Sequence, residues 1–419
     1  VIADRASEMS QPSLRPATAR LYRLLAAAHR GPHATVSIAA AVVDVDDGTA
    51  GEYLDELVAA DLLEREQDRY TYPEPARASA RRHSAELDTD QDRRNAQIAI
   101  ATALLKEAAP REYSILPARP RPGLDYAAHK PGTRTPFTSD QALAWFDWHR
   151  PNVIAAQAAM KNLGRHDLAW RLAVALWGHG LYRHGDLDSW IRVNQIGVDA
   201  AHLCGDLLAE GRLRCMLVHA MLADRRASAA HPHAQRALTI ADELDDPALR
   251  ASAYSALSKI ALASGLPHRA EQMIKAAISN DVLATDAAVH TRRLGDVLVE
   301  LERLDQAIVL YRAAAAQLLA LGHGVEAGRC NTYLGRALVL NGQCGRAKDV
   351  LLQALSAAEN SGSPRYVADA ALALGELHLR NGDRRTAAQL FQQAQQDYTV
   401  AGDRRGVAQA HELLTQVPC

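Results

Sequence analysis

The 419-residue chain is long enough for two to four domains and a sizeable buried core. Its formal net charge is −2, so no global field draws it to nucleic acid or to an acidic membrane. Aromatics are only 5% while alanine and leucine fill long stretches, which favours helix packed on helix over a β-sandwich. The sequence has no membrane-length apolar run and no signal-peptide pattern, and it begins at Val1, as an excised or processed piece would. Cys204, Cys215, Cys330, Cys344 and Cys419 show no CxxC spacing, which predicts reduced thiols in a cytoplasmic protein.

In chain order, residues 14–28 read as an amphipathic helix, followed by short helices near Ile38–Val43 and Thr49–Asp61. Two β-prone pieces, Leu62–Arg65 and Arg69–Tyr72, flank the turn Glu66-Gln67-Asp68. Three helices and a hairpin make a winged-helix pattern, which invites DNA binding. The third helix argues against it. Asp44, Asp46, Asp47, Glu52, Asp55, Glu56 and Asp61 stand between Asp44 and Leu63 with no Lys or Arg among them, and phosphates would repel such a helix. No direct nucleic-acid contact is expected. A helix over Thr89–Ala109 comes next, then a proline-rich stretch over 110–138 that reads as an extended connector across the surface. From Ser139 the helical pattern resumes, with Ser139-Asp140 as caps and Trp145, Phe146 and Trp148 expected to cover the first face of a helical array.

An internal period then dominates. Leu294-Gly295, Leu334-Gly335 and Leu374-Gly375 are 40 residues apart. Thirteen residues beyond each leucine stand Ala307, Ala347 and Ala387; then come Tyr311, Leu351 and Phe391, and then Ala314, Ala354 and Ala394. Leu257, Leu217 and Trp177 open weaker copies upstream, with one step of 37. Small residues let the two helices of a hairpin approach, and the bulky residue fills the groove to the next hairpin. Residues 405–416 read as a cap. The pattern is similar to the tetratricopeptide repeat, with each helix about a turn longer. The expected architecture is mostly α: a flexible stretch over 1–13, a winged-helix-like domain over 14–88, a helix and connector over 89–138, and a tetratricopeptide-like α-solenoid over 139–419.

This order resembles the C-terminal half of the actinomycete antibiotic-cluster regulators that are signal-transduction ATPases, in which an NB-ARC module precedes a winged helix and tetratricopeptide repeats. The resemblance rests on the run Tyr53 to Glu64, on Arg69-Tyr70-Thr71-Tyr72, and on Ala142-Leu143-Ala144-Trp145-Phe146 with Arg150-Pro151-Asn152-Val153. Where that family carries His-Asp-Leu after the wing, this chain has Pro73-Glu74-Pro75, so the family's nucleotide-sensing histidine has no counterpart. No G-x-x-x-x-G-K-[ST] occurs either, so no nucleotide cofactor is expected.

Enzyme motifs such as G-x-S-x-G and H-E-x-x-H are missing, and His231-Pro232-His233 reads as exposed loop rather than metal site. The chain is expected to be no enzyme. Two residues after each repeat leucine stand His179, His219, Lys259, Asp296, Arg336 and Glu376, which the first helix of each hairpin would present to the concave face. With the neighbouring Arg183, Arg292 and Arg380 they predict a groove of mixed charge, positive toward its middle, although a plain solvated face would read the same. The expected function is the sensing half of a transcriptional regulator, binding a protein segment or a small anionic effector in the groove. A stand-alone adaptor, or a biosynthetic-cluster enzyme or small-molecule binder on the same scaffold, is the alternative.

Overall fold

The computed structural model describes residues 14–117, 119–127, 135–183 and 186–417; the stretch 1–13, Gly185 of the turn Gly185-Asp186, and Cys419 lie outside them. The first unit comprises α1 (Pro16–Ala28), α2 (Val36–Val43), α3 (Asp47–Ala59), the strands β1 (Glu64–Glu66) and β2 (Arg69–Thr71), and α4 (Glu74–Leu87). The strands pair antiparallel, and Ala34 adds a bridge to Tyr70. Thr35 caps α2 and Asp46 caps α3 by accepting from backbone N–H groups in the first turn. Helix α4 was not legible in the sequence. Pro73-Glu74-Pro75 looks like a breaker, yet in a first helical turn a proline removes only an N–H that has no intrahelical partner.

Helix α5 (Asp90–Ile115) starts where expected, with a Thr89/Asp92 capping box, but runs past Pro110 for another turn and a half instead of ending at Ala109. Helix α6 (Ser139–Asn162) likewise contains Pro151, and its cap is Thr138 rather than Ser139 or Asp140, with Gln141 returning the bond. Phe146 is fully buried and carries Trp145 on its face, but Trp148 is 55% exposed and lies under the Arg69 guanidinium of β2. It therefore ties the hairpin to α6 and covers no repeat.

The two parts meet at three histidines. His29 Nε2 donates to the His33 carbonyl at 2.7 Å, Asn152 Nδ2 of α6 donates to the same oxygen, and the His33 ring stands edge-on to His149 of α6. Burial pushes His29 and His149 down to about 4, against the upward pull of the His33 carbonyl on His29 and of Asp68 on His149; Arg77 on one, and His33, Arg111 and Arg69 on the other, add to the fall. Both rings are thus neutral in the fold. A depressed histidine contributes stability that is full above its unfolded value near 6.5 and fades as pH falls through 4, on the order of 3 kcal/mol for each ring. Thermal scans should show stability lost between pH 6.5 and 4, and His149→Phe should flatten that slope. An unchanged slope would take the junction out of the explanation.

The array comes next in the chain: α7 (His166–Ala175) and α8 (Trp177–Tyr182), then α9 (Leu187–Leu203), α10 (Leu207–Ala223), α11 (Ala227–Glu243), α12 (Pro247–Ala263), α13 (Pro267–Ser279), α14 (Ala284–Glu300), α15 (Leu304–Ala320), α16 (Gly324–Leu340), α17 (Cys344–Glu359), α18 (Pro364–Arg380), α19 (Arg384–Val400) and the cap α20 (Arg404–Thr415). Consecutive helices pack as antiparallel hairpins, a tetratricopeptide-like solenoid. The period of 40 is two 17-residue helices and two three-residue turns, as in α15 and α16. The step of 37 arises at α13, which has only 13 residues. The Leu-Gly pairs have a direct cause. A Cβ on Gly295, Gly335 or Gly375 would stand within 3.0 Å of Tyr311, Leu351 or Phe391, the bulky residue sixteen positions later. His231 and His233 sit within α11, half-buried, and not in a loop.

The superhelix closes on its own start. The Tyr182 hydroxyl donates to Glu326 of α16 at 3.2 Å, Arg183 Nη1 donates to the Gly362 carbonyl at 2.6 Å, and the Tyr182 and Tyr366 rings are 5.2 Å apart.

Candidate functional site: a cationic chamber in the repeat array

The described part of the connector does not cross the surface. Residues 119–127 turn into the concave side, because Glu112, fully buried near the end of α5, accepts from both Arg119 and Arg121. Arg119 then lies over the Trp177 ring at 4.9 Å, and Arg171 of α7 pairs with Asp125. The connector, the inner helices α8, α10, α12, α14 and α16, and the closure at Tyr182 together line a half-open cavity of about 430 Å³.

Its wall carries Arg119, Arg212, Lys259, Arg292, Arg293 and Arg329 against Asp286 and Glu326. Several of these charges are already spoken for. Arg292 pairs with Asp296 at 2.7 Å, Arg329 with Glu326 at 2.8 Å, and Arg212 approaches Asp246 at 3.7 Å. Two are not. Among the described residues Lys259 has no carboxylate within ion-pair distance, and its Nζ shares a 2.9 Å hydrogen bond with His219 Nδ1. Among the same residues Arg293 hydrogen-bonds only the Ser255 hydroxyl, and its Nε is buried without a partner. Burial, then the neighbouring guanidiniums, depresses Lys259 far below an ordinary lysine, and burial with Lys259 does the same to His219. Arg293 is pushed down to about 10 by burial and by Arg292. Lys259 and Arg293 are thus basic side chains on the chamber wall without a carboxylate partner among the described residues.

The sequence-predicted residues do not all meet here. His219, Lys259 and Arg292 line the chamber. His179 and Arg183 instead share Asp147, at 2.9 and 3.3 Å, in a separate cramped space beside α6. Arg336 lines another cleft nearer the C-terminus. Arg380 donates to the Val339 carbonyl at 2.8 Å, stitching α18 to α16, and faces none of these cavities. The single line of charges along the groove is therefore corrected to three locations and a structural bond. Arg212 and Arg329 were missed, yet they stand seven residues before His219 and Arg336, two helical turns back on the same face. Extending the repeat position by three, four and seven residues would have found them. Arg119 had no such signal.

Among the described residues no group of His, Cys, Asp or Glu is arranged to hold a metal, and no helix is long and apolar enough to cross a membrane.

Comparison with known proteins gives the chain a setting. No family model matches it. Over 386 residues it is 26% identical to the regulatory protein AfsR of Streptomyces griseus, covering 91% of this chain and 38% of that protein. The likeness is to a regulator. The chain thus spans little more than a third of that relative's length. Among solved structures, a Rap protein complexed with competence and sporulation factor is similar in fold, with a TM-score of 0.50, 11% identity, and coverage of 82% of this chain and 91% of that one. A signal-transduction ATPase with a tetratricopeptide repeat sensor from Pyrococcus horikoshii aligns over 96% of this chain and 63% of its own, at 11% identity and a TM-score of 0.44. The expected helical-repeat scaffold accords with the fold of the Rap protein, and the expectation of a regulator with the likeness to AfsR.

Proposed function

We propose that this chain is the sensing portion of a transcriptional regulator, and that its chamber takes a small anionic effector. The observation that carries the reading is the pair of basic side chains without a carboxylate partner, Lys259 and Arg293, on the wall of the cavity. A small ligand is favoured over an extended protein segment because the connector already occupies one side of the groove and Tyr182 closes another. A peptide would have to displace Arg119 from Trp177. The first unit, read as a winged helix, would pass occupancy on through the histidine junction to α6. Reduced thiols fit a cytoplasmic setting.

Native mass spectrometry of the protein from its own cell, with small-molecule extraction, should identify an anion. Lys259→Met with Arg293→Ala should weaken that binding by about 100-fold or more, since each of the two charge-assisted contacts contributes roughly 1.5–3 kcal/mol. Because an anion beside Lys259 favours its protonated form, binding should take up a proton, seen as a calorimetric enthalpy that depends on the buffer. Unchanged affinity in the double variant would refute the assignment.

The first unit should not grip duplex DNA by itself. Its acidic α3 is partly neutralised within the fold, since Glu52 and Glu56 hold Arg15 and Asp55 holds Arg65, and this also occupies the nearest arginines. Mobility shifts at low salt should show no complex; a shift that disappears with added salt would overturn this.

A further inference from the structure

We propose that the cleft framed by α16, α18 and α20 is a second binding site, for a phosphate monoester or carboxylate group, separate from the chamber and independent of whether the chamber binds anything. The cleft has a volume of about 200 Å³ and presents Arg336, Arg365 and Arg405 together with Tyr366, Asp369 and Tyr398. Only the Arg329 and Val325 side chains are common to its wall and that of the chamber.

Its polar groups are arranged for an absent acceptor. The Tyr366 side chain is 3% exposed, and among the described residues its hydroxyl has no partner. Burial keeps that phenol protonated, so it presents an O–H donor. The Nε of Arg336 is also buried without a partner; its Nη2 reaches the Asp369 carbonyl only at 3.5 Å, and its nearest carboxylate, Glu376, is 3.8 Å away. The two acidic groups of the cleft are already engaged by its own residues. Asp369 accepts from the Tyr398 hydroxyl at 2.6 Å, while Asp403 accepts from Arg365 at 3.2 Å and from the backbone N–H of Arg405 and Gly406 at the start of α20. Buried donors seldom stand unsatisfied in a native fold, and several donors converging on one space match the several lone pairs of one oxyanion.

The test uses the full chain with inorganic phosphate in one arm and succinate in the other, read by thermal shift and by calorimetry. Binding of phosphate alone assigns the site to phosphate esters, binding of succinate alone to carboxylates, and binding of both to oxyanions generally. Tyr366→Phe and Arg336→Gln should each weaken the bound anion by at least 10-fold, whereas Lys259→Met with Arg293→Ala should leave this affinity unchanged. Because the Tyr366 hydroxyl is unpartnered without ligand, Tyr366→Phe should not lower the melting temperature of the free protein, which keeps lost binding distinct from misfolding. The proposal is overturned if neither anion binds, if Tyr366→Phe and Arg336→Gln bind as the wild type does, or if binding disappears in the chamber variant instead.

Discussion

Glu112→Gln should destabilise the protein by about 3–5 kcal/mol and free the connector from the groove. The carboxylate is fully buried and is the acceptor for Arg119 and Arg121, whose side chains are 19% and 2% exposed. Removing its charge leaves two guanidiniums in the interior with no counter-ion, and an uncompensated buried charge costs far more than the intact pair contributes. Urea denaturation should report the loss. Trp177 fluorescence should change as Arg119 leaves the ring, and the connector should become cleavable by trypsin. By contrast, Arg65→Gln breaks a pair with Asp55 that is about half exposed on both sides and should cost under about 1 kcal/mol. Equal effects from the two variants would mean that Glu112 does not anchor the connector.

A comparable loss is expected from the repeat glycines. Gly295→Ala, Gly335→Ala and Gly375→Ala each place a methyl within 3.0 Å of the Tyr311, Leu351 or Phe391 side chain. Overpacking of this kind costs about 1–3 kcal/mol per site. The sites belong to different hairpins, so the triple variant should lose roughly the sum, about 3–9 kcal/mol. Gly345→Ala, where nothing lies within 4 Å of the new methyl, should be neutral or slightly stabilising because alanine favours the helix. Hydrogen exchange should locate each loss in its own hairpin first, as expected of a stack whose units touch mainly their neighbours. A triple variant as stable as the wild type would show that the Leu-Gly pairs are not there for close approach.

The repeats were legible because their determinants are local. A 17-residue helix, a three-residue turn and a return helix set a 40-residue period by geometry, and the glycine and the bulky residue that meet are sixteen positions apart in each of the three C-terminal copies. The same periodicity places His219 and Lys259 on the concave face. Helices α2, α3, α5 and α20 were legible to within a few residues except for the C-terminal end of α5. The proline-marked elements were not. Pro75 opens α4 and Pro110 lies inside α5, and whether a proline ends or starts a helix depends on whether packing compensates for its missing N–H.

What only the tertiary structure decided was which charges face one another. The array bends by a small angle at every hairpin, and no single spacing in the sequence records the sum of those angles. That sum brings Tyr182 to Glu326 and Arg183 to Gly362, contacts 144 and 179 positions apart along the chain. Glu112 turns the connector inward through two arginines inside a stretch without periodicity, and so adds Arg119 to a wall built from five repeats. The sequence by itself determined a stack of long-helix hairpins with cations along its inner face. The summed curvature of that stack decided that Lys259 and Arg293 line one chamber, Arg336 a separate cleft, and that His179 and Arg183 meet Asp147.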